Sequence, residues 1–438
     1  MACSQRSLGS RGRRPRRGVQ ASHALVTCVL FAIADGAEPR WANPVIADVP
    51  AAFAQIDTGG SRLGSWSGEV LPYPFYSLNP AHDFGDNHFQ GIQRLRAGPY
   101  IVVSGGNIGR LGNMARLGLP QPASWEALPP PQGDLIVARL ASRAANGAWR
   151  SNLDAHAQPP ASDHAVAALA VRIVLPSGTT LWHPGGISVC GDVLVVPVEN
   201  YNPAHGEVCS QLLFYDLSTP EKPVLLPPRI DRTTPPVQDK AGGATMTRLR
   251  DGRFLVASRT TTHLSFYLSR SDQFLDGFEP RPAVVFDERD ALAAPGQERV
   301  KFHGSSIHFA AQRDDRLFLV SFSRVRDERK PDASRYTGLH VATLFALDYP
   351  RNDLRAMPAI TKVAAREFGA DVLGYDRWGD FAAAAGLHVT DDGRLAIYAA
   401  PRWQVARVQP MTPADVAQGR HVRPGEAVFI PFAEFWPR

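Results

Sequence analysis

The chain has 438 residues, with 47 Lys+Arg against 42 Asp+Glu for a formal net charge of +5, and 37 each of Gly and Pro. Six arginines and one acid, Asp35, fall within the first 37 residues, so that segment carries the whole excess and the remainder is formally neutral. The basic balance therefore argues for no nucleic-acid partner, and no apolar run reaches the length of a membrane span.

Arg6, Arg11, Arg13, Arg14, Arg16 and Arg17 precede an apolar stretch over residues 24–33, which gives way to Asp35-Gly36-Ala37. That order is the export signature. It predicts a signal peptide over residues 1–37, cut after Ala37 or, as the alternative, after Ala34. The mature protein is then secreted or periplasmic, with an N-terminal extension over residues 38–65 and a single domain over residues 66–438. Cys3 and Cys28 leave with the signal, and Cys190 and Cys209 remain. Residues 193–198 stand between them as a strand of roughly 20 Å at about 3.3 Å per residue. A disulfide needs Cα atoms within about 7 Å, so two free thiols are expected.

Five segments then repeat one pattern: a small-residue pair, an apolar residue, a turn and a β-branched or aliphatic strand. His88-Phe89-Gln90-Gly91-Ile92 leads into residues 100–103, and His183-Pro184-Gly185-Gly186-Ile187 into 193–196. Lys240-Ala241-Gly242-Gly243-Ala244 leads into 253–256, and His303-Gly304-Ser305-Ser306-Ile307 into 317–320. The last, Ala383-Ala384-Ala385-Gly386-Leu387, leads into 394–397. Cys190-Gly191-Asp192, Asp251-Gly252, Asp314-Asp315 and Asp392-Gly393 supply hairpin turns. Third strands are expected at 134–140, 211–217, 264–269, 340–347 and 427–432. Fourth strands are expected at 168–175, 223–226, 283–286 and 359–363.

Four antiparallel strands repeated radially make propeller blades. The pattern resembles the five-bladed β-propeller class over residues 66–438, by repeat form and without the motif of any one enzyme family. The fifth repeat lacks a fourth strand. Residues 68–76 are expected to supply it by pairing with 427–432, which closes the ring and protects an edge. The alternative is a sixth, degenerate blade within residues 104–165.

Aligned at the small-residue pair, the innermost strands begin with His88, His183, Lys240, His303 and Ala383. The second strands end with Asn107, Glu199, Arg259, Arg324 and Arg402. In a propeller these ten positions surround one channel mouth. Insertions over 105–133, 325–338 and 403–425 fall on the same face.

Three readings stay open there. His88, His183 and His303 could ligate a divalent metal, with Glu199 as fourth ligand or base. Lys240, Arg259, Arg324 and Arg402 could instead bind a carboxylate, sulfate or phosphate. Or the histidines could merely hydrogen-bond neighbouring blades. His308, on the strand face opposite Ile307, is also placed to reach the channel. Ser305 and Ser306 lack a nucleophile-elbow motif, and Asp83 and Asp86 lack the spacing of a calcium loop. Trp66, Trp149, Trp182 and Trp436 fit an inter-blade core, whereas Trp125 and Trp403 stand where they could stack on a ligand.

The expected protein is a monomer that takes a small-molecule or glycan ligand at a His/Arg-lined mouth. It is a hydrolase or lyase, or alternatively a non-catalytic binding or scaffold propeller.

Overall fold

The computed structural model describes residues 40–62, 88–96, 98–106, 133–143, 149–151, 165–176, 181–200, 208–260, 262–288, 302, 304, 306–329, 338–349, 353–369, 379–400 and 433–438. A short helix, α1 (Val49–Gln55), and strand β1 (Ser61–Arg62) come first. Blade one follows with β2 (His88–Arg94), β3 (Tyr100–Gly106), β4 (Gly133–Arg143), the small β5 (Trp149–Ser151) and β6 (Ala165–Val174). Blade two holds β7 (His183–Pro184), β8 (Ser188–Cys190), β9 (Val193–Glu199), β10 (Ser210–Asp216) and β11 (Val224–Arg232). Blade three is β12 (Gly243–Arg248), β13 (Phe254–Arg259), β14 (His263–Leu268) and β15 (Val284–Asp287). Blade four is β16 (Ile307–Ala311), β17 (Leu317–Val325), β18 (Leu339–Asp348) and β19 (Ala359–Phe368). Blade five is β20 (Ala384–Val389), β21 (Leu395–Ala400) and β22 (Ala433–Phe435), with β1 as its outer member.

The protein is a five-bladed β-propeller. Five sheets are present among the described residues, and β4 and β5, which fall inside residues 104–165, belong to blade one. Each blade repeats the same chemistry at its inner hairpin. Gly191, Asp315, Gly252 and Gly393 take positive φ values of 63°, 68°, 87° and 79° at the turns read from the sequence. Glycine reaches that region without a Cβ clash, and Asp tolerates it in a turn.

Four of the five seams between blades are filled by apolar side chains. Leu135, Ile187 and Val196 pack between blades one and two, and Phe214, Val256 and Phe278 between two and three. Phe266, Phe309 and Leu319 pack between three and four, and Phe322, Phe381 and Ile397 between four and five. The seam between five and one includes a polar group. Gln93 Nε2 donates to the Leu387 carbonyl at 2.7 Å. Arg94 lies buried with Tyr398 and Glu434 as its electrostatic partners. Gly386 is required there, because a Cβ would come within 1.8 Å of the Ile92 carbonyl oxygen.

In this structure β1 pairs antiparallel with β22, Ser61 opposite Glu434 and Arg62 opposite Ala433. The segments expected to pair, 68–76 and 427–432, lie outside the described residues. Cys190 and Cys209 are both buried free thiols. Cys190 sits in the core between blades two and three, Cys209 in that between one and two. Burial pushes the Cys190 thiol up to about 12.

The N-terminal extension is part of the core. Val49 and Phe53, on one face of α1, are fully buried between blades four and five. Asp48 caps the helix, accepting the Ala51 N–H at 3.0 Å. Phe53→Ala should therefore destabilise the protein by about 3–5 kcal/mol, as large-to-small core changes do. Urea unfolding checks this, with a lowered midpoint and an unchanged slope as the expected result.

Candidate functional site

In blades one to three the end of the second strand meets the start of the innermost strand, because the ladder pairs them. His183 is the direct Cα partner of Glu199, Gly243 of Arg259, and His88 of Gly106. What the side chains then do differs from blade to blade.

Blades one to three share a polar file. His183 Nδ1 lies 3.3 Å from Glu199 Oε1, and its Nε2 lies 3.1 Å from Gln90 Nε2. A carboxylate only accepts, so Nδ1 donates, and Nε2 is left to accept from the Gln90 amide. Glu199 Oε2 accepts the Ala241 N–H of blade three at 3.0 Å. Gln90, His183 and Glu199 are all buried. Burial would push the Glu199 carboxyl up, but His183, the Ala241 amide and Lys240 together hold it below the usual range. The file thus fixes an ionised carboxylate behind an oriented imidazole.

Gln90 was not legible in the sequence. The β2–β3 register shifts between Phe89 and Gly91, a bulge that skips Gln90 in the ladder and leaves its side chain to reach blade two. No residue type or spacing marks such a bulge beforehand.

Arg259 and Arg324 turn toward the next blade. Arg259 Nη1 donates to the Gly304 carbonyl and Nη2 to that of Phe302, at the start of blade four. Burial lowers Arg259 to about 10, with Glu288 and Glu199 opposing the shift. Arg324 pairs with Asp380 at the start of blade five, through its Nε to Oδ1 at 3.0 Å and through Nη2 to Oδ2. Both side chains are buried, at 6% and 3% exposure. Asp380 Oδ1 also accepts the Ala382 N–H at 3.0 Å, so it organises the first turn of blade five. Asp380 is a second residue that sequence alignment missed, since it stands outside the repeated small-residue motif. Glu199, Arg259 and Arg324 stand at or near the ends of their second strands, and each bridges to the following blade.

His308 is 3% exposed and donates Nε2–H to the Ala385 carbonyl at 3.4 Å, against the Phe322 ring. It lies within the seam between blades four and five, where burial drives its pKa down to about 3. His88 is placed by its backbone at the start of β2, and Asn107, His303 and Arg402 lie outside the described residues. Among the described residues no group of three His, Cys, Asp or Glu is arranged to hold a metal ion. Both ring nitrogens of His183 are engaged within the protein. Trp182 packs its ring edgewise against His183 and Trp436 donates to Glu434, while Trp66, Trp125 and Trp403 lie outside the described residues.

No family model matches the chain, and no curated protein matches it. Solved structures do. An endo-arabinase from Bacteroides thetaiotaomicron aligns at 10% identity and a TM-score of 0.37, over 81% of this chain and 93% of its own. An α-L-arabinofuranosidase from Fusarium graminearum aligns at 7% identity and a TM-score of 0.38, over 85% and 98%. A luciferin-regenerating enzyme aligns at 9% identity and 0.33, over 90% and 95%. Likeness at this level carries no residue role across, and the chemistry of the site rests on its own geometry.

Two outcomes follow from that geometry. Arg324→Ala leaves the Asp380 carboxylate buried without its cation and should cost about 3–5 kcal/mol. The double variant with Asp380→Ala should recover much of that loss, which denaturant melts of the three proteins measure. For His308 the folded pKa lies below the unfolded value of about 6.5. As pH falls below that value the unfolded chain takes up a proton that the folded chain refuses, so stability falls. By pH 5 the loss is about 2 kcal/mol. His308→Gln, which cannot titrate, should close its stability gap to the parent by that amount between pH 7.5 and 5.

Proposed function

We propose that the end of the ring carrying the Gln90–His183–Glu199 file binds a small anionic or carbohydrate-like ligand, in an exported, monomeric protein. The observation that carries this reading is the file itself. The seams joined by the file are also packed by apolar side chains, yet an ionised carboxylate is buried beside them, and burying one costs several kcal/mol of desolvation. Buried, hydrogen-bonded titratable clusters of this kind gather at functional sites. Lys240 stands beside Glu199 electrostatically, and Arg259 lies near the same carboxylate, so both charge signs converge on one ring end. His88, His303, Asn107 and Arg402 would complete that mouth from the remaining blades.

If the site is catalytic, His183 is the proton-transfer group and Glu199 its orienting anion. A ligand hydroxyl or a water would replace Gln90 at Nε2, the geometry of general base catalysis in a hydrolase or lyase. A second reading, a non-catalytic scaffold, is favoured by the bridges that Glu199, Arg259 and Arg324 make to the next blade. The described residues hold no helix long and apolar enough to cross a membrane.

Calorimetric titration with neutral oligosaccharides, uronic acids and small dicarboxylates separates the two readings. Binding of one class, weakened at least tenfold by His183→Ala and by Glu199→Gln in proteins that still unfold cooperatively, supports the ligand site; tenfold corresponds to about 1.4 kcal/mol. If no class binds the parent, and the two variants differ from it only in melting temperature, the scaffold reading stands instead.

A further inference from the structure

The inner hairpins of the five blades point to the end of the ring opposite the polar file, and residues 40–46 run across them. The contacts begin at blade two. The Arg40 N–H donates to Asp192 Oδ2 at 2.8 Å, and the Arg40 carbonyl accepts the Asp192 N–H at 2.7 Å. Gly191 makes this approach possible, since a Cβ there would lie 1.9 Å from the Arg40 oxygen. Asn43 reads the same hairpin twice, accepting from the Gly191 N–H at 2.9 Å and donating to the Val189 carbonyl at 3.0 Å.

Trp41 enters an aromatic pocket of blade three, stacked on Phe274 at 5.0 Å and edge-on to Phe254 at 5.9 Å. The Ala42 carbonyl accepts from Arg96 of blade one, and Val45 passes over the blade-five turn at Gly393. Ile46 forms a parallel bridge to Gln312 in blade four, donating to the Ala311 carbonyl and accepting from Arg313. The Gln312 side chain then accepts the Val49 N–H at 2.9 Å, at the first turn of α1.

This is the grammar of peptide recognition. Backbone pairs hold an extended segment, and pockets take alternate or helically spaced side chains. The recognising groups on the body are hairpin turns and seam residues that the repeats build for themselves. Every contact from residues 40 to 57 to the body is non-covalent.

We propose that the hairpin end of the propeller is a peptide-binding groove and that residues 40–57 are its resident ligand, exchangeable with another peptide of the same chemistry. The groove asks for an aromatic residue at position 41, Asn at 43, and apolar residues at 46, 49 and 53. This surface is separate from the proposed ligand site, and neither inference depends on the other. Cleavage after Ala37 would leave the whole recognised segment on the mature chain.

The test uses the full chain with a specific protease site inserted between Arg62 and His88, cut after folding. The released fragment is expected to co-elute with the body on gel filtration at micromolar concentration. A fluorescent synthetic peptide of residues 40–62 then exchanges into the cut protein. Unlabelled peptide carrying Trp41→Ala competes at least tenfold less well than the parent peptide, and Asp192→Ala in the body shortens retention of the parent fragment. Separation of the fragment from the body on the column, or equal competition by the two peptides, overturns the proposal.

Discussion

A ring of stacked sheets imposes one constraint on everything else: each blade must present a surface to both neighbours, and the last must meet the first. A linear chain fulfils the first half by repetition. Val, Leu, Ile and Phe at alternating positions fill four seams, and hydrophobic burial across them is non-directional enough to tolerate repeats of unequal length. The second half asks the last blade to meet the first. Here the first described strand, β1, takes the outer place beside β22, and part of the seam between blades five and one is joined by Gln93, Arg94, Tyr398 and Glu434.

The candidate site is a by-product of the same constraint. In blades two, three and four, a residue at or near the end of the second strand reaches the start of the next blade. Glu199 uses that place to accept a backbone N–H, Arg259 to donate to two carbonyls, and Arg324 to grip Asp380. The end of the second strand thus serves in three blades as an inter-blade clamp of differing chemistry. The Gln90–His183–Glu199 file differs from the other clamps in linking three blades and in aligning an imidazole behind a carboxylate that burial would otherwise neutralise. Clamping and ligand binding do not exclude each other, since a group held rigidly by the fold is already organised for a ligand.

The two ends of the ring have opposite characters. One gathers titratable side chains at strand ends, with the long insertions expected on the same side. The other is a surface of tight turns, where Gly191 and Gly393 let a further stretch of backbone come close. Residues 40–57 cover those turns and add Val49 and Phe53 to the core between blades four and five. The N-terminal extension is therefore a structural member that touches every blade.

The sequence by itself determined the blade count, the inner hairpins and most strand positions, because these follow from local rules. Alternation has period two, positive-φ turns call for Gly or Asp, and a repeat announces itself by recurrence. It also separated Cys190 from Cys209 correctly, since a strand's length is a local quantity. Only the tertiary structure decided where side chains point once blades are stacked. The bulge that frees Gln90, the pairing of Arg324 with Asp380, the burial of His308 in a seam and the docking of residues 40–57 all join segments far apart in sequence. Each depends on how one sheet is turned against the next, and no local spacing encodes that angle.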